Sequence, residues 1–218
     1  MATTVLIADD HELVRTGIRR LLEDLGCQVL AEVGDGDEAV ARARTEKPDV
    51  ALLDIHMPVL GGLEATRKIR RFHPACRIII LTAYTEGPLP KALLEAGIDG
   101  FLTKGCTLEE MQQALQRVRR GERYISRDVA QKMAIAAMEG DADSPFDRLT
   151  PRELQVALML LAGGINRSIS EALQLSPKTV TTYRQRILRK TGVRNQTDLL
   201  RLAIRYNIAI PDDVPVTE

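Results

Sequence analysis

Residues 50–58 read Val50-Ala51-Leu52-Leu53-Asp54-Ile55-His56-Met57-Pro58. Four apolar residues closed by an acid make a short strand, Val50–Asp54, with no alternation of apolar and polar positions. Such a strand is buried on both faces, which points to a parallel sheet with helices on each side. Thr4–Ala8 and Gln28–Val33 precede it as strands, Arg77–Thr82 holds Ile78-Ile79-Ile80-Leu81, and Gly100–Thr103 is a short fifth strand. Helical patterns separate them. Leu13, Gly17, Ile18, Leu21, Leu22 and Leu25 share one face, and Asp37–Glu46, Leu63–Arg71, Lys91–Ala96 and Thr107–Arg119 follow. Right-handed crossovers then predict an α/β doubly wound five-stranded parallel sheet over residues 1–122.

Ligands in such sheets sit at the carboxyl ends of the strands, where strand order reverses. Those ends carry Asp9-Asp10, Asp54, Thr82 and, after the fifth strand, Lys104. Three carboxylates within a few ångströms need a cation, and hard oxygen donors favour Mg²⁺. With charge offset by Mg²⁺ and Lys104, one carboxylate becomes a nucleophile toward phosphorus, and the Thr82 hydroxyl can donate to a phosphoryl oxygen. The plain alternative, acids that only cap the next helix, explains one Asp well and five matching positions poorly.

Composition narrows the classes. The 218 residues are 44% hydrophobic and 28% charged, as in ordinary globular proteins. No apolar run reaches the roughly 18–20 residues of a membrane helix. The first ten residues lack the basic region of a signal peptide. Three scattered cysteines with no CxxC suggest free thiols and a cytoplasmic protein. With no Trp and 3% aromatic residues, a large aromatic ligand pocket is not expected. The zero net charge hides an asymmetry: residues 145–218 hold 11 basic and 7 acidic residues, and residues 176–205 hold 8 and 1. An acidic front and a basic back imply two modules with different partners.

The middle, residues 123–146, reads as a connector: Gly121 ends the preceding helix, Ser126 caps a short one, and Glu139–Pro145 is polar. Residues 147–212 then form an all-α four-helix module. Leu149-Thr150-Pro151-Arg152-Glu153 is a capping box with Pro at the first helical position. Asn166 is expected to cap a second helix, Arg167–Leu173, and Ser176 a third that reaches Lys190 or Thr191 before Gly192. Asn195 caps a fourth, with Leu199, Leu200, Ala203 and Ile204 apolar. On the third helix Val180 and Ile187, with part of Tyr183, face inward, while Lys178, Thr181, Thr182, Gln185 and Arg189 line the opposite side. Hydroxyls and an amide among cations suit base reading with phosphate anchoring, the task of the second helix of a helix-turn-helix in the major groove of double-stranded DNA. Arg186 and Arg189 are assigned to phosphates and Thr182 and Gln185 to bases, and Lys190 joins the DNA-binding set.

Asp9-Asp10, Leu53-Asp54-Ile55-His56-Met57-Pro58 with Gly62, Thr82-Ala83 and Phe101-Leu102-Thr103-Lys104-Gly105 together resemble the receiver (CheY-like) domain of bacterial two-component response regulators. The resemblance implies that Asp54 takes a phosphoryl group from a sensor histidine kinase. It implies that Asp10, Asp54 and the His56 main-chain carbonyl hold Mg²⁺, with Asp9 acting through water. Lys104 would pair with the phosphoryl group, and Thr82 and Phe101 would be the switch pair. The His56 side chain is read as an exposed loop histidine. Leu149–Glu153, Ser176-Pro177-Lys178-Thr179-Val180 and Thr191-Gly192-Val193 resemble the LuxR-type (NarL/FixJ) helix-turn-helix. Ser168-Ile169-Ser170 and Leu175–Ile187 resemble the GacA/UvrY group, which implies control of small regulatory RNAs. That group usually has Asn where Thr181 stands, and the wider family an acid where Ser168 stands. No enzyme activity beyond the receiver's own phosphotransfer and dephosphorylation is implied.

Two other classes compete. A phosphatase built on Asp54 wants a second acid two residues on, and His56 is not one. A ligand-sensing LuxR protein wants an enclosed apolar pocket where this front half has an acidic rim. Communication between the halves is expected to work by release of a resting contact between the acidic front and the third helix. The fourth helix, through Leu199, Leu200, Ala203 and Ile204, is then expected to form a two-fold homodimer on a roughly palindromic site, the alternative being dimerisation through the front domain with no occlusion.

Overall fold

The computed structural model describes residues 2–55, 57, 59–82, 93–94, 96–138, 144–173, 175–206 and 208. They fall into two compact units, the first reaching Gln131 and the second beginning at Lys132. His56, Pro58 and Ala83 lie outside the described residues, as do most of the helix expected at Lys91–Ala96 and of the linker Glu139–Pro145.

The first unit holds strands β1 (Thr4–Ala8), β2 (Gln28–Val33), β3 (Val50–Leu53), β4 (Arg77–Thr82), β5 (Gly100–Thr103) and β6 (Tyr124–Ile125). All pair in parallel, in the order β2-β1-β3-β4-β5-β6. Five strands were expected and six are found among the described residues. The additional one is a two-residue strand pairing Gly100 with Tyr124 and Phe101 with Ile125, too short to leave a pattern in the sequence. It carries the sheet past Glu122. Helices α1 (Glu12–Asp24), α2 (Gly36–Glu46), α3 (Gly62–Phe72) and α4 (Leu108–Arg119) connect the strands, and the division between the units falls within α5 (Arg127–Met138).

Burial explains the non-alternating strands. Val5, Ile7, Leu52, Ile79 and Leu81 form one core with Ile18 and Leu22 of α1 and Met111, Leu115 and Val118 of α4. Their neighbours Leu6, Ala8 and Leu53 are equally buried and, by the period of two, point to the opposite face. On α1 the expected apolar face is narrower than it reads, since Leu13 is 88% exposed.

Three main-chain bonds bring the strand ends into line. Asp9 N–H donates to the Val33 carbonyl (3.1 Å), Asp54 N–H to Ala8 (2.8 Å) and Lys104 N–H to Thr82 (2.9 Å). The loop after Asp54 is clamped between two helix starts. A Cβ at Gly62 would lie 2.1 Å from the Asp54 carbonyl oxygen, and one at Gly36 would lie 1.9 Å from that of Leu60. Between them Val59 adopts φ +62°, a left-handed conformation that costs a β-branched residue about 1–3 kcal/mol.

In the second unit a 3₁₀ turn (Pro145–Arg148) leads into α6 (Pro151–Leu161), α7 (Asn166–Ala172), α8 (Pro177–Thr191) and α9 (Gln196–Arg205). α8 packs on α6 and α7, and α9 on α6. Thr150 and Glu153 form the expected capping box, Ser176 accepts from Thr179 N–H, Asn195 accepts from Asp198 N–H, and Gly192 ends α8 at φ +74°. Asn166 does not cap α7. It is the first helical residue, and Ser168 Oγ instead accepts from Ile165 N–H (3.1 Å) and donates to the Ile165 carbonyl (3.0 Å).

Urea unfolding checks the loop clamp. Gly62→Ala is expected to cost about 2 kcal/mol or more, because only backbone lies in the way. Gly17→Ala, mid-helix with nothing within 4 Å of the new Cβ, is expected to add about 0.5–1 kcal/mol.

Candidate functional site

Strand order reverses between β1 and β3, and the acids fall at that crevice. Asp9 and Asp54 are buried, while Asp10 faces solvent. Lys104, reaching over from the end of β5, places Nζ 2.8 Å from Asp9 Oδ2 and 3.0 Å from Asp54 Oδ2. Asp54 Oδ1 accepts from Ile55 N–H at 2.7 Å, and Asp9 Oδ1 from His11 N–H at 2.9 Å. Asp9 therefore takes part in the helix start that the plain alternative invoked, and it serves the site with its other oxygen. Thr82 and Phe101 are both fully buried, the Phe101 ring inward.

Burial pushes the Asp54 carboxyl up to about 6; Lys104 pulls it down, and Asp9 and Asp10 push it further up. Burial also acts to lower Lys104, but the Asp54 and Asp9 carboxylates outweigh it and hold the ammonium above its ordinary value.

Asp9, Asp10, His11 and Asp54 each offer a donor atom, and these atoms lie within 4.8 Å of one another. Three carboxylates dominate the set, two of them buried, which fits a hard divalent cation such as Mg²⁺. His11 was not singled out from the sequence. Its Nδ1 sits 2.8 Å from Asp10 Oδ1, brought there because it starts α1 immediately after the acidic pair.

On α8 Lys178, Thr181, Thr182, Gln185, Arg186 and Arg189 are exposed, and Val180 and Ile187 are buried. The face expected for DNA is thus continuous over three turns. Lys190 departs from that expectation: its Nζ lies 2.5 Å from Oε2 of the buried Glu153, so its charge is engaged within the unit. Burial acts to raise the Glu153 carboxyl, but Lys190 and the Thr150 N–H hold it below the usual range. The expected dimerisation set also needs correction. Leu199 and Ala203 are fully buried in the unit's own core, whereas Ile204 is 65% exposed and Leu200 half-buried. Helical spacing marks an apolar stripe but not which neighbour covers it.

Comparisons with known proteins match both halves. Residues 5–116 fit the response regulator receiver domain, and residues 147–203 the bacterial regulatory proteins of the luxR family. The response regulator GacA of Pseudomonas protegens is 47% identical over 205 residues, 94% of this chain and 96% of its own. The response regulator UvrY of Escherichia coli is 48% identical over 206 residues, 94% of each chain. Among solved structures, RcsB from Salmonella enterica serovar Typhimurium, bound to promoter P1flhDC in the presence of phosphomimetic BeF₃⁻, has a TM-score of 0.65 at 28% identity. That match covers 93% of this chain and 98% of RcsB.

The raised Asp54 value makes stability depend on pH. Between the ordinary carboxylate range and about 6 the folded chain holds a proton that the unfolded chain releases. The associated stability is fully present below the ordinary value and is lost as pH rises through about 6. In EDTA at pH 7.5, Asp54→Asn is therefore expected to melt roughly 5–10 °C above wild type, with the gap closing near pH 4. Differential scanning calorimetry reads it, and a gap unchanged at pH 4 would contradict a strained Asp54 charge.

Proposed function

This chain belongs to the response regulators that join a receiver domain to a LuxR-type DNA-binding domain, and from that premise we propose that Asp54 is its phosphoryl acceptor and the exposed face of α8 its DNA reader. The protein is a transcription regulator. Its receiver spans residues 1–122 with β6 appended, residues 123–146 connect, and residues 147–212 bind DNA. The observation that carries the reading is Lys104 bridging two buried carboxylates at the switch point of the sheet.

In the proposed reaction an Asp54 carboxylate oxygen attacks the phosphorus of a phosphohistidine on a sensor kinase. A P–O bond forms as the P–N bond breaks, and the imidazole leaves and takes a proton. Asp9, Asp10 and Asp54, with the His56 carbonyl, would hold Mg²⁺, which supplies charge neutralisation at the phosphoryl oxygens. Lys104 meets the same oxygens from the other side. Asp54 is bound by its own N–H neighbourhood and by Lys104, so the nucleophile is already oriented. Thr82, at the end of β4, follows the phosphoryl group, and Phe101 on β5 follows Thr82. Apart from this self-phosphorylation and its reversal by water the chain turns over no substrate.

On α8, Lys178, Arg186 and Arg189 anchor phosphates while Thr181, Thr182 and Gln185 meet base edges. Two copies assemble on a two-fold site, with Leu200 and Ile204 as the part of α9 free to take part. A regulator that meets the chromosome and a kinase's inner face works in the cytoplasm. The likeness to GacA and UvrY supports targets that include small regulatory RNAs.

Intact mass after incubation with acetyl phosphate tests the acceptor. Wild type is expected to gain one phosphate only when Mg²⁺ is present, and Asp54→Asn none. A phosphate on the Asn variant, or one insensitive to EDTA, overturns the assignment. Salt titrations test the reader. Arg189→Ala is expected to flatten the log K against log salt slope by about 0.9 on every sequence. Gln185→Ala is expected to cost about 1–3 kcal/mol on the selected site and little on random DNA.

A further inference from the structure

Two hydroxyl protons on the exposed face of α8 are already engaged inside the protein. Thr181 Oγ1 donates to the Pro177 carbonyl at 3.0 Å, and Thr182 Oγ1 donates to the Lys178 carbonyl at 3.0 Å. A hydroxyl carries one proton. Neither threonine therefore has a proton to offer a base acceptor such as guanine O6 or N7, or thymine O4.

The two positions differ in one respect. Thr181 Oγ1 also accepts from Asn166 Nδ2 on α7 at 3.1 Å. Its oxygen is thus held between its own helix backbone and the neighbouring helix. Turning the Asn166 amide over would redirect the hydroxyl proton to Oδ1 and would still leave none for DNA. A β-branched side chain with its oxygen held in one χ1 well has its methyl held too. What the exposed Thr181 keeps for the groove is Cγ2.

The only apolar feature that a base pair shows in the major groove is the 5-methyl group of thymine. We propose that Thr181 reads a thymine methyl through its own γ-methyl, and that Asn166 is a positioning residue that sets this by holding the hydroxyl away from DNA. The inference rests on α8 being the groove helix. It assigns Thr181 a different preference from the one an amide would have there, since Asn pairs with adenine through donor and acceptor together. Thr182, with no donor from a second helix on its oxygen among the described residues, keeps lone pairs for an amino group of adenine or cytosine. Gln185 keeps both donors and an acceptor.

The test uses the full chain activated with beryllium fluoride. Binding sites are selected from a random duplex pool, and each thymine of the selected site is then replaced in turn by deoxyuridine. Fluorescence anisotropy is expected to find one thymine per half-site whose demethylation weakens binding about fourfold, the worth of one buried methyl. That sensitivity is expected to persist in Thr181→Val, which keeps the methyl and lacks the hydroxyl. It is expected to vanish in Thr181→Ser, and to shrink in Asn166→Ala with affinity for random DNA unchanged. Circular dichroism checks that each variant is folded. If Thr181→Ser keeps the preference and Thr181→Val loses it, the hydroxyl is the reader and the proposal is wrong. Selective binding with no methyl-sensitive thymine overturns it equally, with the groove placement intact. Equal weakening of selected and random DNA by Gln185→Ala and Thr181→Ser overturns the groove placement, and this reading with it.

Discussion

Two carboxylates that water no longer reaches, with a third at the rim, are held together by one ammonium group. Asp9 and Asp54 would repel at this spacing in a medium that screens poorly, and desolvating each alone costs several kcal/mol. Lys104 lies against both, and the arrangement of the first unit follows from having to bring it there. The strand order puts β1 beside β3, which sets the acids side by side, and β5 lies two strands away on the far side of β4. A lysine stem is long enough to cross that gap, whereas a shorter cation at the same strand end would not be. The compromise leaves the Asp54 charge less stable than an ordinary carboxylate.

The second unit turns on a buried acid as well, used in the opposite sense. Glu153 accepts from Thr150 N–H at 2.7 Å, closing the first turn of α6, and the same oxygen meets Lys190 in the last turn of α8. Beside it Arg152, also buried, donates to Gln155 and to the Leu173 carbonyl at the end of α7. Neighbouring charges on α6 thus fasten the ends of the two helices that make the helix-turn-helix. Here the carboxylate is stabilised and nothing reacts. The contrast with Asp54 comes from the surroundings: deeper burial and the acids Asp9 and Asp10 raise Asp54, whereas at Glu153 Lys190 and the Thr150 N–H outweigh burial.

Much of this was legible in the sequence, for physical reasons that also say where legibility stops. Thr4–Ala8 and Arg77–Thr82 declare themselves because strands covered on both sides carry unbroken apolar runs, here Val5–Ala8 and Ile78–Leu81. Caps at Thr150, Ser176 and Asn195 are legible because a side-chain acceptor must stand at a fixed offset from the first turn. Strand β6 leaves no trace because two residues set no period. Asn166 looked like a cap, but the helix starts one residue earlier than that requires, and Ser168 inside it reaches back to the Ile165 N–H. Lys190 looked like its neighbour Arg189, and only the packing of α8 on α6 tells a cation facing Glu153 from one facing outward. Leu199 and Ala203 fell to the same ambiguity. His11 follows the acids directly, and the period of the helix it begins hides it.

The crowded glycines have a mechanical consequence. Gly36 starts α2 close against the Leu60 backbone, and Gly62 starts α3 close against the backbone of Asp54 and Ile55, at the two ends of the loop after Asp54. Val59, left-handed inside that loop, is bent against its preference and stays so only while both abutments hold. A side chain at either glycine would push its helix start away from backbone that adjoins Asp54. The surroundings of that carboxylate are therefore fixed in part by two residues that have no side chain at all.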